Sequence, residues 1–110
     1  MNKKELPDTK AGRVDWVINA ETNEEMRRRY DLWAKSYDDD VGSYEDYLVP
    51  RQATIVAEQV LARDALILDA GAGTGLVGQT LSEIGFRRLI AVDYSQGMLD
   101  VARQKQVYQE

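Results

Sequence analysis

DAGAGTG at residues 69–75, preceded by the apolar run ALIL at residues 65–68, decides the fold of this chain. A short apolar run that leads into a glycine cluster is typical of a buried parallel strand. A second apolar run, residues 89–92, ends in Asp93, and a helical pattern lies between the two runs. A strand, a helix and a second strand of this length pair in parallel through a right-handed crossover. The sequence therefore predicts an α/β fold that begins a doubly wound sheet.

Helical patterns surround the two predicted strands. Thr22 has capping-box spacing to Glu25, and an aromatic stripe with helical spacing follows it, made of Met26, Tyr30, Trp33 and Tyr37. Three aspartates at residues 38–40, followed by Gly42, predict a solvated break. Ser43 is a candidate cap for a short turn after that break. Residues 1–22 are mostly charged and predict a flexible arm, whereas residues 23–62 predict helices that serve as a lid and a docking layer.

Three further helices are expected beside the strands. Pro50 suits the first turn of a helix whose apolar stripe is Ala53, Val56 and Val60. The helix at residues 74–84 carries Val77, Leu81 and Ile84 on one face, and Gly85 stands where a left-handed cap belongs. Ser95 is the expected cap of a last helix that runs to about Lys105. Residues 63–110 therefore predict part of a Rossmann-like domain.

Composition limits the chemistry and the partners. The chain has 110 residues, no His, no Cys and a net charge of −5. A thiolate metal site and a histidine base are excluded, and no metal site is expected. The acidic balance argues against nucleic acid, whose binders need a positive surface. No stretch suits a signal peptide or a membrane span, so we expect a cytoplasmic protein with a small-molecule ligand.

Two acids follow the two predicted strands. Asp69 and Asp93 fall at the carboxyl ends, where ligands of doubly wound sheets bind. Residues 73–78 also satisfy G-x-G-x-x-G, with Asp93 20 residues beyond Gly73, so a dinucleotide is a competing ligand. A carboxylate at Asp69 would repel a pyrophosphate, which favours a cationic ligand that contains a ribose for Asp93. Asp69 as a loop cap and Asp93 as an ordinary strand-end acid remain open alternatives.

Several segments resemble one enzyme family. LDAGAGTG at residues 68–75 resembles motif I of the class I S-adenosylmethionine-dependent methyltransferases, and VDYSQGML at residues 92–99 resembles the segment that follows motif I. YDLWA at residues 30–34, YD at 37–38 and ARQKQVY at 102–108 are similar to the Williams–Beuren-region methyltransferase-like proteins, relatives of the ubiquinone-pathway methyltransferases. The resemblance covers about residues 25 to 108.

The resemblance implies S-adenosylmethionine as the cofactor and a set of residues that bind it. Its methionine end would lie over Asp69, Ala70, Gly71, Gly73 and Gly75, its ribose on Asp93, and its adenine near Tyr94 and Met98. Tyr37 is expected near the methionine end, where its ring would favour the sulfonium. The competing interpretation is that the aromatic stripe is only core or docking surface.

The resemblance also sets expectations about what this chain does alone. The family's sheet has further strands, so we expect the chain to end before the fold and the acceptor pocket are complete. An inactive donor-binding portion is expected, with an unknown, small-molecule acceptor and no assignable catalytic residue. The unpaired edge of the first strand predicts self-association. The alternatives are a nicotinamide dinucleotide-binding fragment of an oxidoreductase and an interaction module without catalysis.

Overall fold

The computed structural model describes residues 5–42 and 48–109. Its elements, in chain order, are α1 (Lys10–Ile18), α2 (Asn23–Gly42), α3 (Val49–Val60), β1 (Leu66–Ala70), α4 (Leu76–Glu83), β2 (Arg88–Val92) and α5 (Gln96–Gln104). β1 and β2 pair in parallel, with Leu66 opposite Arg88 and Ala70 opposite Val92. The predicted α/β class is confirmed, and the two-stranded parallel sheet is consistent with part of a Rossmann-like fold.

The core beside the sheet contains two residues of the predicted apolar patterns, Leu81 and Leu89, and two that were not predicted, Phe86 and Ala57. Phe86 and Leu89 are fully buried, and Leu81 and Ala57 pack with them from α4 and α3. Gly85 has a φ of +105°, and the Phe86 N–H donates to the carbonyl of Leu81 at 3.1 Å across it. This closes α4 with the predicted left-handed glycine, because glycine adopts a positive φ without a Cβ clash. The chain then enters β2 directly.

Hydroxyl side chains begin the helices at the predicted places. The Glu25 N–H donates to Thr22 Oγ1 at 3.0 Å, and the Met98 N–H donates to Ser95 Oγ at 3.2 Å. Pro50 lies in the first turn of α3, as predicted. These contacts satisfy backbone donors that have no partner inside their own helix. The turn predicted at Ser43 lies outside the described residues.

The flexible arm predicted for residues 1–22 differs from the structure. Thr9 caps α1, which packs against α2 with Val17 only 4% exposed. Arg13 forms a bidentate ion pair with Asp40, through Nε at 2.7 Å and Nη2 at 2.9 Å. The partner of Arg13 is 27 residues away, so no local pattern in the arm indicates this docking.

The solvated break predicted at residues 38–40 is wrong, because α2 continues through the three aspartates to Gly42. Asp40 is 7% exposed and is held by Arg13, by Trp33 Nε1 at 2.6 Å and by Ser36. Asp38 is half-buried and contacts Lys105 at the end of α5, so only Asp39 of the three is exposed. A buried carboxylate is tolerated here because its charge is paired and its oxygens accept hydrogen bonds.

The apolar stripe predicted on α3 is mostly exposed to solvent. Val56 is 57% exposed and Val60 is 70% exposed, whereas the neighbouring Ala57 makes the core contact. The exposed side chains line an apolar groove of about 530 Å³ between α3 and β1. Within the described residues no strand pairs with the outer edge of β1. Leu68, on this strand, is 63% exposed.

Candidate functional site

The glycine loop leaves β1 at Ala70 and enters α4 at Leu76. Gly71, Gly73 and Gly75 have φ values of +72°, +59° and +89°, a region that L side chains rarely adopt. The N–H groups of Gly71 and Ala72 donate to the carbonyl of Val92 at 2.7 and 3.0 Å. The loop is therefore fixed against the end of β2.

Asp93 fastens the same loop through its side chain. Its Oδ2 accepts the Gly73 N–H at 2.8 Å, and its Oδ1 accepts the Ser95 N–H at 2.8 Å. Each carboxylate oxygen carries two lone-pair sites, so each retains one for a ligand hydroxyl. The structural role left open for Asp93 is therefore present, and it is compatible with the ribose contact that the sequence predicts.

Helix α2 forms the wall opposite the glycine loop. A cleft of about 210 Å³ is lined by Tyr30, Tyr37, Gly71, Gly73, Asp93 and Met98. A neighbouring cleft of about 340 Å³ shares Tyr37, Gly71 and Gly73 and extends along Asp69 and Ala70. The second volume lies within the range of small-molecule sites. Seven of the predicted donor-binding residues are thus brought together: Tyr37, Asp69, Ala70, Gly71, Gly73, Asp93 and Met98.

Tyr37 contacts the core residue Trp33 and also lines the two clefts. Its ring lies edge-on to Trp33, with 4.7 Å between the ring centroids, and Trp33 also stacks with Tyr30 at 6.1 Å. Trp33 is buried, whereas Tyr37 also lines both clefts. The stripe therefore packs α2 and also brings the aromatic side chains of Tyr30 and Tyr37 to the first cleft.

Two predicted residues lie outside the clefts. Tyr94 is 62% exposed, and the Arg27 guanidinium lies 5.4 Å from its ring centroid. Gly75 is buried under the start of α4, where an added Cβ would lie 2.9 Å from the ring of Tyr108. Gly75 therefore gives Tyr108 room, and Tyr94 does not line the space next to Asp93.

The contacts that hold α2 over the loop were not predicted from the sequence. Asp38 accepts hydrogen bonds from the Thr74 hydroxyl and from Lys105 Nζ, the latter at 2.6 Å. Lys105 also donates to the carbonyl of Thr74. Asp31 accepts the Gly97 N–H at 2.8 Å and the Ser95 hydroxyl at the start of α5. Two aspartates of α2 thus attach the helix to the loop and to α5.

Tyr108 is the other residue that the sequence did not reveal. It follows α5, and its hydroxyl donates to Asp69 Oδ2 at 2.7 Å. Burial and this hydrogen bond raise the pKa of Tyr108 above its usual value. The phenol therefore stays protonated and remains a donor. Because the contact joins residues 39 positions apart, no spacing signal indicates it.

Residues 5–42 and 48–109 contain neither a metal site nor a membrane-spanning helix. In that part of the chain, no group of three or more Asp or Glu side chains could hold a metal ion. None of the helices described above is long and apolar enough to cross a membrane.

Comparisons with known proteins cover the glycine loop and the segments on both sides of it. Residues 67–110 match the family described as "Methyltransferase domain". "Methyltransferase-like protein 27" of Homo sapiens is 45% identical to this chain over 83 residues, which are 73% of this chain and 34% of that protein. The chain thus spans about a third of the length of this curated relative. No solved structure matches the chain significantly.

Proposed function

We propose that the chain is the donor-binding portion of a class I methyltransferase and that it binds S-adenosylmethionine between the glycine loop and α2, for methyl transfer to a small-molecule acceptor. The match of residues 67–110 to a methyltransferase domain and the 45% identity to a methyltransferase-like protein support this proposal. The observation that carries this proposal is the shared wall of the two clefts. Tyr37 of α2 faces Gly71 and Gly73, with Asp69 on one side and Asp93 on the other. An aromatic ring, an open glycine backbone and two carboxylates suit a sulfonium, an ammonium and a ribose.

The glycine backbone supports close approach of such a ligand. An ideal Cβ added to Gly71 or to Gly73 would have no heavy atom within 4 Å. Both positions therefore border open space, and their Cα atoms present the least possible bulk to the cleft. A larger side chain would occupy ligand volume and would be strained by the positive φ. A ligand that binds over the backbone requires such open space above the loop.

The charges of the site favour a cation over a pyrophosphate. Asp69 and Asp93 both border the loop, and two carboxylates would repel a doubly charged pyrophosphate placed between them. The same carboxylates attract an ammonium and accept hydrogen bonds from ribose hydroxyls. The ring of Tyr37 would add a cation–π attraction of about 0.5 to 2 kcal/mol if the sulfonium lies over it.

The contribution of these residues to methyl transfer is binding and orientation. When bound, S-adenosylmethionine supplies a sulfonium-activated methyl group for in-line displacement by the acceptor. Tyr37 would shield the sulfonium side of the cleft from water, while Asp69 and Asp93 would fix the two ends of the donor. Holding reactants in line accounts for a large part of catalysis in bimolecular reactions. No residue of this chain is assigned as a base, and we expect no turnover by the chain alone.

Calorimetric titration with S-adenosylhomocysteine and with NAD tests the proposal. We expect weak binding of S-adenosylhomocysteine and weaker or no binding of NAD. Asp69→Asn, which removes one charge in the cleft, should weaken S-adenosylhomocysteine binding. The matched control is Asp64→Asn, because Asp64 is exposed just before β1 and should leave binding unchanged. Equal or tighter binding of NAD would contradict the proposal and favour an oxidoreductase fragment.

A further inference from the structure

Tyr108 occupies a slot that two glycines create beside the donor cleft. An added Cβ on Gly78 would lie 2.1 Å from the Tyr108 hydroxyl oxygen, and one on Gly75 would lie 2.9 Å from its ring. Ala102 of α5 lies against the same space. The slot admits the ring only because both helix-entry positions lack a side chain. The tyrosine is thus seated by residues of α4 and α5 and directed at β1.

The Tyr108 hydroxyl contacts one oxygen of the acid that opens the glycine loop. It donates to Asp69 Oδ2 at 2.7 Å, while Asp69 also lines the cleft beneath Tyr37. The terminal torsion of an aspartate is broad and soft, so a carboxylate held at one oxygen loses much of its freedom to rotate. Its other oxygen then has a defined direction.

We propose that Tyr108 is a positioning residue, which holds the Asp69 carboxylate in the orientation that binds the ammonium group of the methyl donor. The inference rests on the proposed function, since it concerns the methionine end of the same ligand. Tyr108 itself does not line the cleft of Asp69 and Tyr37. Its effect on the ligand is exerted through Asp69.

Tyr108→Phe tests this inference, because it removes the hydroxyl and keeps the ring in its slot. Two ligands separate a positioning role from a structural one. S-adenosylhomocysteine carries the ammonium, whereas 5′-methylthioadenosine keeps the adenine, ribose and sulfur but lacks the amino-acid end. We expect Tyr108→Phe to weaken the binding of S-adenosylhomocysteine about two- to tenfold, the effect of one lost hydrogen bond. The binding of 5′-methylthioadenosine should be unchanged.

Gly78→Ala provides a second, independent perturbation of the same contact. Its methyl group would displace the Tyr108 hydroxyl without changing Asp69 or Tyr108, and should reproduce the selective loss. Gly42→Ala is the matched control, because a Cβ at Gly42 meets no heavy atom within 4 Å. It should bind both ligands as the parent chain does.

The outcomes separate this inference from the proposed function. An unchanged affinity for S-adenosylhomocysteine in Tyr108→Phe, or an equal loss for both ligands, would overturn the positioning role while leaving the donor site intact. A parent chain that binds neither ligand would contradict the proposed function and the inference together. A selective loss in both Tyr108→Phe and Gly78→Ala supports the inference.

Discussion

Replacing Asp40 with Asn should destabilise the fold by detaching α1 from α2. The Asp40 carboxylate accepts two hydrogen bonds from Arg13 and one from Trp33 Nε1, and its side chain is almost fully buried. Asn at position 40 keeps the shape but removes the charge. The Arg13 guanidinium, 15% exposed, would then lose the charge of Asp40 and at least one of its two hydrogen bonds to that side chain. The contact joins α1 to α2, the helix whose Tyr37 lines both clefts.

The size of the effect follows from the carboxylate's environment. The hydrogen bond from Arg13 is the main cause that lowers the pKa of Asp40 from 3.8 to about 2. Such a shift corresponds to about 2 kcal/mol of folding free energy. Because the folded pKa is the lower one, this stabilisation is fully present above about pH 4 and is lost as the pH falls through about 2. We therefore expect Asp40→Asn to lower the free energy of unfolding by about 2 to 3 kcal/mol at neutral pH.

Urea unfolding followed by tryptophan fluorescence measures this loss, since Trp33 contacts the substituted side chain. The measurement belongs at low protein concentration, so that self-association does not contribute. Asp39→Asn is the matched control, because Asp39 is exposed on the same turn. The difference in the free energy of unfolding between the parent chain and Asp40→Asn should become smaller as the pH falls from about 4 to about 2. A loss of no more than about 0.5 kcal/mol of unfolding free energy beyond the Asp39→Asn control would refute this reasoning. A difference between Asp40→Asn and the parent chain that does not depend on pH would also refute it.

Three further predictions concern the cleft and the sheet edge. Asp93→Asn should raise the dissociation constant of S-adenosylhomocysteine about tenfold or more. It should also lower the melting temperature, because the Gly73 N–H loses a charged acceptor. An unchanged dissociation constant would show that Asp93 only holds the loop. Tyr37→Ala should weaken donor binding and also lower the melting temperature, because its ring packs against Trp33; a stability loss with intact binding would favour the packing role alone. The parent chain should self-associate in light scattering through the outer edge of β1 and the adjoining groove, and Leu68→Lys should reduce the association; a monomeric parent would contradict this.

Local signals in the sequence were sufficient to predict the positions of the two strands, the glycine loop and several helix ends. Thr22, Ser95 and Gly85 carry their structural role in their own side chain or backbone, and all three occur where predicted. The apolar runs before Asp69 and Asp93 became β1 and β2. The burial expected for the first strand is not seen in the described residues, because Leu66 and Leu68 are exposed on the edge of β1 that no other strand covers. The placement of both acids at the strand ends followed from that order alone.

Contacts between distant residues were not accessible in the same way. Asp38 and Asp40 resemble a solvated charge run until Lys105 and Arg13 are folded against them. Such pairs stand 67 and 27 residues apart, and nothing in their spacing indicates which cation meets which acid. The contact of Tyr108 with Asp69 could not be predicted from the sequence for the same reason. Tertiary pairing, rather than local propensity, decides where these charges lie.

The most direct test of the donor site is a nitrogen–proton correlation spectrum of the labelled chain, recorded during titration with S-adenosylhomocysteine. We expect the largest amide shifts at Gly71, Gly73, Asp93 and Met98, which line the cleft under α2. Saturating shifts at these amides, absent with NAD, would support the donor site. Shifts confined to the apolar groove of α3 and β1, or none at millimolar ligand, would contradict it.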